Sequence, residues 1–295
     1  MNRRVFLSAS ATTILAGNLF ADTDKKPKLK KAVKYTMIGE GKTIQDKFEL
    51  IKKIGFEGVE IDSPSKLNLE EANAAQKATG IKIHGVIDSV HWNATHTLSH
   101  PDEKVRAKGL EVLVGAIKDA QTVGADTVLL VPGQVREETF NSKKEHVTYE
   151  QCWERSQAEV KKALPAAEKA KVKIAIEVVW NNFITKPDQF VEYIDSFKSP
   201  WVGGYFDCSN MVKYGVPPSE WMRKLGKRML KFDFKGYSKT RQWVGIGEGD
   251  EDWPEIRKAL VEIGYEGWAT AEVNTGGEKY LRDVSDRMDK ILGLK

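Results

Sequence analysis

Cysteine is scarce in this chain of 295 residues, and neither an excess of one charge nor an apolar segment long enough to span a membrane comfortably is present. Its two cysteines, Cys152 and Cys208, lie in different predicted elements, so we expect free thiols rather than a disulfide. Lysine and arginine number 46 against 42 aspartates and glutamates, a balance that does not favour nucleic acid or a membrane surface as partner. The composition is that of a globular protein with one large core.

The first 21 residues have the features of an export signal. Arg3 and Arg4 precede a short apolar run that ends at Phe20, followed by the small residue Ala21. The Arg-Arg-x-Phe-Leu pattern is similar to a twin-arginine signal, which exports proteins that are already folded. An ordinary secretory signal would equally predict export. We therefore expect a signal peptide over 1–21, a charged flexible tether over 22–32, and a periplasmic protein.

Strand-like and helix-like segments alternate along the rest of the chain, and a glycine follows several of the helices. Gly55, Gly80, Gly124 and Gly264 stand where a left-handed residue can end a helix and return the chain to the sheet. Eight such units predict an α/β fold of a single domain, a closed (β/α)8 TIM barrel over residues 33–295. The predicted strands are 34–38, 57–61, 81–86, 126–131, 172–178, 202–206, 229–234 and 267–273.

Four strands in the second half of the chain carry a carboxylate at or near their C-terminal ends. These acids are Glu177, Asp207, Asp233 and Glu272. Consecutive strands of a βα barrel end at one face, where active sites lie, so the four should converge there. Facing carboxylates repel one another unless a proton or a cation neutralises them. Oxygen ligands favour a hard ion, so we expect one divalent metal, Mn²⁺ or Mg²⁺ rather than zinc.

A structural role for these acids stays open at this point. Any one of them could cap a helix or pair with a lysine or arginine instead of binding a metal.

Six short motifs follow one another in a specific order. They are Gly55-Phe56-Glu57-Gly58-Val59-Glu60, Ala120-(x)3-Gly124-Ala125, Ile176-Glu177-(x)2-Trp180-Asn181-Asn182-Phe183, Phe206-Asp207-(x)2-Asn210, Gly247-Glu248-Gly249-Asp250, and Ile263-Gly264-Tyr265-Glu266-Gly267-Trp268 leading to Glu272. In this order they resemble the xylose-isomerase-like barrel superfamily of sugar isomerases and epimerases, over residues 33 to 293. The resemblance implies that Glu177, Asp207, Asp233 and Glu272 hold the metal.

Two positions depart from the pattern of that superfamily. The resemblance leads us to expect a His-x-Lys-Asp stretch where this chain has Asp233-Phe234-Lys235-Gly236, so an acid replaces a neutral ligand. Lys235 could offset part of the added negative charge. Asn210 stands where the tagatose-type epimerases have a histidine that contacts sugar oxygens.

The chemistry implied by the resemblance is proton abstraction next to a carbonyl. Glu177 and Glu272 would take and return the proton, which gives an epimerase or an isomerase according to where the proton returns. Loss of a hydroxyl from the same intermediate would give a dehydratase. A sugar-binding barrel without catalysis is a further alternative. A zinc-dependent phosphodiesterase with the same barrel needs more histidines than the five present.

Several other side chains are candidates for contact with a small carbohydrate substrate. His84 and Glu60 could bind sugar oxygens or be hydrogen-bonded residues of the barrel core, and Trp180 could form an apolar wall. Arg241 could bind an anionic group, although solvated loop charges are common. No glycine-rich phosphate cradle is present, so an unphosphorylated sugar or keto-sugar is expected. The predicted substrate-binding residues are His84, Glu60, Trp180, Asn210, Lys235 and Arg241, and a homo-oligomer is possible.

Overall fold

The computed structural model of the protein describes residues 26–136 and 146–294. Eight parallel strands form a closed barrel, in which the first strand pairs with the last and each of the others pairs with its neighbours in the chain. The predicted TIM barrel is therefore confirmed. The strands are β1 (Leu29–Lys34), β2 (Gly58–Ser63), β3 (Lys82–Asp88), β4 (Thr127–Leu130), β5 (Lys173–Glu177), β6 (Val202–Asp207), β7 (Met229–Phe234), the hairpin strands β8 (Gly236–Ser238) and β9 (Gln242–Val244), and β10 (Gly267–Ala271), which closes the barrel.

Helices cover the outside of the barrel and begin and end at the expected signals. Thr43 forms a capping box with Asp46 at the start of the first helix, and Gly55 ends that helix with a φ of +105°. Gly80 and Gly124 end the next two helices in the same left-handed conformation. The helices are α1 (Ile44–Ile54), α2 (Leu69–Thr79), α3 (Glu103–Val123), α4 (Tyr149–Ala170), α5 (Pro187–Asp195), α6 (Cys208–Val212), α7 (Pro218–Leu225), α8 (Trp253–Glu262) and α9 (Glu278–Leu292).

The position of the first strand corrects the sequence prediction. The strand expected over 34–38 is wrong, because β1 runs over Leu29–Lys34 and Tyr35–Met37 form a 3-10 turn. The flexible tether expected over 22–32 is accordingly wrong from Leu29 onward. Lys31 on this strand is buried and pairs with Asp289 of α9 at 2.6 Å. A lysine-rich strand of this kind resembles a solvated tether, because its lysines find their partners only in the closed barrel.

The core lies mainly between the strands and the surrounding helices. Outward-facing side chains such as Phe206, Phe232 and Phe234 are fully buried there. A second, small cluster, formed by Ile87, Leu129, Ala175 and Tyr205, fills the inside of the barrel. Inward-facing positions near the strand ends are therefore left for polar groups.

Two further expectations concern cysteine and membranes. Cys152 and Cys208 are both buried and free, as expected. Across the part of the chain that the structure describes, no helix is both long and apolar enough to cross a membrane. The predicted signal peptide falls outside the described residues.

Candidate active site

The four acids predicted from the strand ends meet at the mouth of the barrel. Glu177 and Asp207 are the last residues of β5 and β6, Asp233 lies on β7, and Glu272 directly follows β10. One oxygen of each lies within 4.8 Å of the others. Three of these acids are buried, and the Glu272 side chain is 28% exposed. The predicted convergence is confirmed, while the role of these acids as metal ligands stays a prediction.

Two lysines lie among these acids. Lys34, the last residue of β1, contacts Asp233 Oδ2 at 2.8 Å and Glu272 Oε2 at 3.0 Å. Lys235 contacts Asp207 Oδ2 at 2.7 Å and Glu272 Oε1 at 3.1 Å. Lys235 was a sequence candidate, whereas Lys34 was missed because it lies on the strand that the prediction displaced. Three of the four acids thus have a lysine partner, the alternative left open by the sequence.

The two glutamates of the cluster have opposite protonation tendencies. Burial and the nearby charge of Glu272 raise the pKa of Glu177 to about 8, even though Lys34 and Lys235 oppose the shift. Burial also acts to raise the pKa of Glu272, but Lys34 and Lys235 outweigh it and hold that pKa well below its usual range. Without a cation beside these acids, the shifts favour a protonated Glu177 and an ionised Glu272 at neutral pH, a pairing used in acid–base chemistry.

Tyr205 connects the mouth to the barrel interior below it. Its hydroxyl lies 2.9 Å from Asp233 Oδ1 and 3.0 Å from Glu60 Oε2. A hydroxyl has one proton to donate, so the second carboxyl must carry a proton of its own. Burial raises the pKa of both Asp233 and Glu60, which favours that arrangement. Glu60 is thus a buried partner of Tyr205, placed beneath the acids rather than at the mouth.

His84 also lies in the barrel interior and not at the end of its strand. The end of β3 is Asp88, four residues further on. The His84 ring stacks on Trp268 at 4.6 Å, and its Nε2 lies 3.2 Å from the Thr270 hydroxyl. The side chain is 4% exposed. His84 thus lies four residues before the end of β3 with the contacts of a hydrogen-bonded core residue, and its contact with a sugar oxygen stays a prediction.

An aromatic wall stands beside the acids. Trp180 and Trp243 stack with ring centroids 4.9 Å apart, and Tyr237 packs edge-on against both. Trp243 belongs to the β8–β9 hairpin, lies with its ring centroid 4.7 Å from the Lys235 ammonium, and is 50% exposed. Sequence reasoning missed it, because the hairpin lies in a segment that was expected to be a loop.

Asn210 and Arg241 are placed differently from each other. Asn210 is buried, donates to the Val178 carbonyl at 3.1 Å, and its amide lies 3.4 Å from Glu177 Oε1, so it is in reach of this acid. Arg241 is exposed on the hairpin and donates to the Glu248 carbonyl. Among the described residues, the ion pairs of the four acids are with Lys34 and Lys235 and not with Arg241.

A cavity of about 540 Å³ leads outward from the cluster. Its lining includes Glu272, Lys235, Trp243, Asn274, Tyr280 and Arg287. Arg287 pairs with Glu248 at 2.6 Å and with Asp283 at 2.7 Å. Both cations in this lining are thus engaged with carboxylates of the protein.

The mouth contains a further polar side chain that the sequence analysis did not place among the substrate-binding candidates. His91 follows β3, is 2% exposed, and accepts a hydrogen bond on Nδ1 from the Val131 backbone at 3.0 Å. Burial lowers its pKa, so the ring is neutral and carries its proton on Nε2. Among the described residues that Nε2 has no hydrogen-bond partner.

The donor set and its charge fit a divalent cation. Four carboxylates close enough to share an ion supply oxygen ligands of the kind that hard ions prefer. Lys34 and Lys235 add two positive charges, so four ionised carboxylates, two lysines and one divalent ion would sum to zero. The residues present therefore suit a metal of this class.

Comparison with known proteins identifies the family. The family model described as xylose isomerase-like TIM barrel matches residues 48–291, and the chain belongs to this family. The L-ribulose-5-phosphate 3-epimerase UlaE of Escherichia coli is 26% identical over 236 residues, which cover 75% of this chain and 78% of the relative.

Two solved structures show the same fold. The 3-keto-D-glucoside 4-epimerase YcjR of E. coli aligns over 90% of this chain and 99% of its own with a TM-score of 0.73 and 18% identity. The IolI protein, solved with a bound zinc atom, aligns over 90% of this chain and 99% of its own with a TM-score of 0.75 and 17% identity. The named relatives thus include sugar epimerases, one of which acts on a phosphorylated sugar.

Proposed function

We propose that this protein is a metal-dependent sugar isomerase or epimerase that moves a proton next to a carbonyl. The observation that carries the proposal is the convergence of Glu177 and Glu272 with two further acids in one cluster at the barrel mouth, where the pKa values of the two glutamates are shifted in opposite directions. The named relatives support it, since UlaE and YcjR are both sugar epimerases.

The two glutamates divide the proton transfer between them. Glu272, whose pKa is lowered, accepts the proton from the carbon, and Glu177, whose pKa is raised, supplies one to the opposite face for epimerisation, or to the neighbouring carbon for isomerisation. Asn210, in reach of Glu177, keeps that carboxyl oriented. Mn²⁺ or Mg²⁺ bound by Glu177, Asp207, Asp233 and Glu272 would polarise the substrate carbonyl.

The substrate that we propose is an unphosphorylated sugar or keto-sugar. A phosphate group needs cations that are free to bind it, and both cations lining the cavity already pair with protein carboxylates. The exposed Trp243 edge and the stacked Trp180 offer an apolar surface that suits a sugar ring.

Solvent deuterium uptake followed by NMR tests this function. Metal-stripped protein is resupplied with Mn²⁺ or Mg²⁺ and incubated with ketoses, 3-keto-sugars and ribulose 5-phosphate. We expect metal-dependent exchange at a carbon next to a carbonyl, lost in Glu177→Gln and Glu272→Gln. Glu266→Gln is the matched control, because this exposed acid precedes β10 at the other end of the barrel and, among the described residues, forms an ion pair only with surface Lys28. Exchange that persists in both site variants would contradict the proposal.

A second candidate is a sugar-binding barrel without catalysis. The observation in its favour is that Lys34 and Lys235 contact three of the four acids, as expected of a site that needs no ion. Saturable sugar binding by calorimetry without exchange in any substrate would favour this candidate.

We further propose that the protein is exported through a twin-arginine signal. The support is the Arg3-Arg4 pair ahead of a short apolar run. In a reporter fusion, replacing both arginines by lysine should abolish export. Unchanged export of that variant would indicate an ordinary secretory signal instead.

A further inference from the structure

Lys34 uses oxygens that a metal ion would need. Its ammonium contacts Oδ2 of Asp233 and Oε2 of Glu272, while Tyr205 contacts Oδ1 of Asp233 and Lys235 contacts Oε1 of Glu272. Every carboxylate oxygen of Asp233 and Glu272 therefore already has a positive or hydrogen-bonding partner. An ion that binds either acid through its lysine-bound oxygen has to compete with the positive charge of the lysine for that oxygen.

Glu177 and Asp207 differ in how much of their carboxylate is engaged. Asp207 accepts backbone hydrogen bonds from Ser209 and Asn210 on Oδ1 and contacts Lys235 through Oδ2. Among the described residues, the only hydrogen bond found for the Glu177 carboxylate is the 3.4 Å contact of Asn210 with Oε1. Among the described residues, Glu177 on β5 is thus the least engaged of the four acids, whereas Lys34 contacts Asp233 on β7 and Glu272 at the end of β10.

The burial of Lys34 makes this arrangement more than a surface ion pair. Its side chain is 8% exposed, and Asp233 is fully buried. Exposed ion pairs are held weakly and exchange readily, but buried partners are costly to separate because each charge would be left without solvent. The contact also ties three strands together, since Lys34, Asp233 and Glu272 come from β1, β7 and the end of β10.

Resting on the metal site of the proposed function, we propose that Lys34 is a built-in counter-cation that competes with the divalent ion for Asp233 and Glu272. Without the ion, Lys34 keeps the acids together and the barrel mouth assembled. When the ion binds, the lysine gives up at least one of its two carboxylates. The acid at position 233 and the lysine at position 34 thus act as a unit, in which the added negative charge is accompanied by its own cation.

Calorimetric titration of the metal-stripped protein with Mn²⁺ tests the proposal without any substrate. We expect Lys34→Met to bind Mn²⁺ at least about tenfold more tightly than the wild type, because the competing charge is gone. Lys34→Arg keeps the charge and should stay within about threefold. Unchanged or weaker Mn²⁺ binding by Lys34→Met would overturn the proposal.

The matched control separates direct competition from the general effect of a nearby charge. Lys213 also lies at the mouth, with its ammonium 4.6 Å from the Trp180 ring centroid, but within the described part of the chain it forms no ion pair with the four acids. Lys213→Met removes the same charge and should change Mn²⁺ affinity by less than about threefold, since solvent screens it. An equal gain in Lys213→Met and Lys34→Met would overturn the competition.

A double variant covers the case in which Lys34→Met does not fold. Lys34→Met combined with Asp233→Asn removes both charges of the pair and avoids an unpaired buried acid. We expect it to bind Mn²⁺ more tightly than Asp233→Asn alone, because Glu272 is released, and binding equal to or weaker than that single variant would count against competition. Equal binding by wild type and Lys34→Met overturns this inference alone, whereas the absence of Mn²⁺ binding in every variant overturns the metal dependence as well.

Discussion

Two layers of inward-facing polar side chains follow one another along the barrel axis. The mouth layer consists of charged groups in direct contact, with Lys34 and Lys235 set between Asp207, Asp233 and Glu272. The lower layer is formed by Glu60, Tyr205, Thr270 and His84, which hydrogen-bond to one another and end on the Trp268 ring.

The layers differ in how their polar groups are satisfied. In the mouth, ion pairs can be exchanged for a metal or a substrate, because the cavity reaches Glu272 and Lys235. In the lower layer, Glu60 and His84 are buried and their partners come from the opposite strands of the barrel. We infer that the mouth layer serves the reaction and the lower layer holds the strands together, so that substitutions in the two layers should have opposite effects on activity and stability.

The largest expected effect is the loss of activity in Glu177→Gln. Removing the proton donor should lower exchange by roughly 10²–10⁴-fold, the range for general acid–base groups. Because burial raises the pKa of Glu177, the free energy of unfolding should stay the same or rise, as a buried acid is replaced by a neutral amide. NMR exchange and urea denaturation measure the two effects. A large loss of stability with little loss of exchange would reverse the assignment of the layers.

The next largest expected effect is a loss of stability in Tyr205→Phe, a substitution in the lower layer. It removes the hydroxyl that partners Asp233 and Glu60, so the free energy of unfolding should fall by about 1–3 kcal/mol, the cost of leaving buried polar groups unsatisfied. Tyr214→Phe is the control, since Tyr214 donates to the Val179 carbonyl in a partly buried position away from the lower layer. Equal losses in the two variants would show that Tyr205 has no special role between the layers.

The mouth acids could be predicted because their positions depend only on strand ends. Glu177, Asp207, Asp233 and Glu272 lie at the ends of parallel strands, and parallel strands of a barrel end at one face. No contact between distant residues had to be known. The same rule places Lys235, which directly follows β7.

Lys34 and His84 could not be placed in that way. Lys34 belongs to a lysine-rich segment, and its burial depends on the pairing of β1 with β10 at the other end of the chain. His84 was expected near a strand end, but β3 extends to Asp88, and the register between β2 and β3 shifts next to Glu60. Such shifts depend on how the whole barrel closes. Trp243 was missed because residues 236–252 were expected to form a loop, whereas β8 and β9 pair there as a hairpin.

A smaller expected effect is a pH dependence of stability that comes from Asp88, a buried acid at the end of β3. Burial raises its pKa from 3.8 to about 7, so this carboxyl favours folding most below pH 3.8, and that contribution is lost as pH rises through 7. Between about pH 6 and about pH 8 the wild type should lose about 1–2 kcal/mol more stability than Asp88→Asn. Urea denaturation at both pH values measures the difference. If the wild type and Asp88→Asn lose the same stability between the two pH values, Asp88 is ionised throughout, as expected of an acid with a cation partner.

The smallest effect is expected from Arg241→Ala on the exposed hairpin. Among the described residues its side chain hydrogen-bonds only to a backbone carbonyl, so the free energy of unfolding should change by less than about 0.5 kcal/mol. If the substrate is a neutral sugar, KM should change by less than about twofold, and Lys239→Ala on the same hairpin should behave alike. A large rise in KM confined to ribulose 5-phosphate would instead make Arg241 a phosphate ligand. The charged groups that bind substrate would then include a residue of the hairpin, and the proposed preference for unphosphorylated sugars would be wrong.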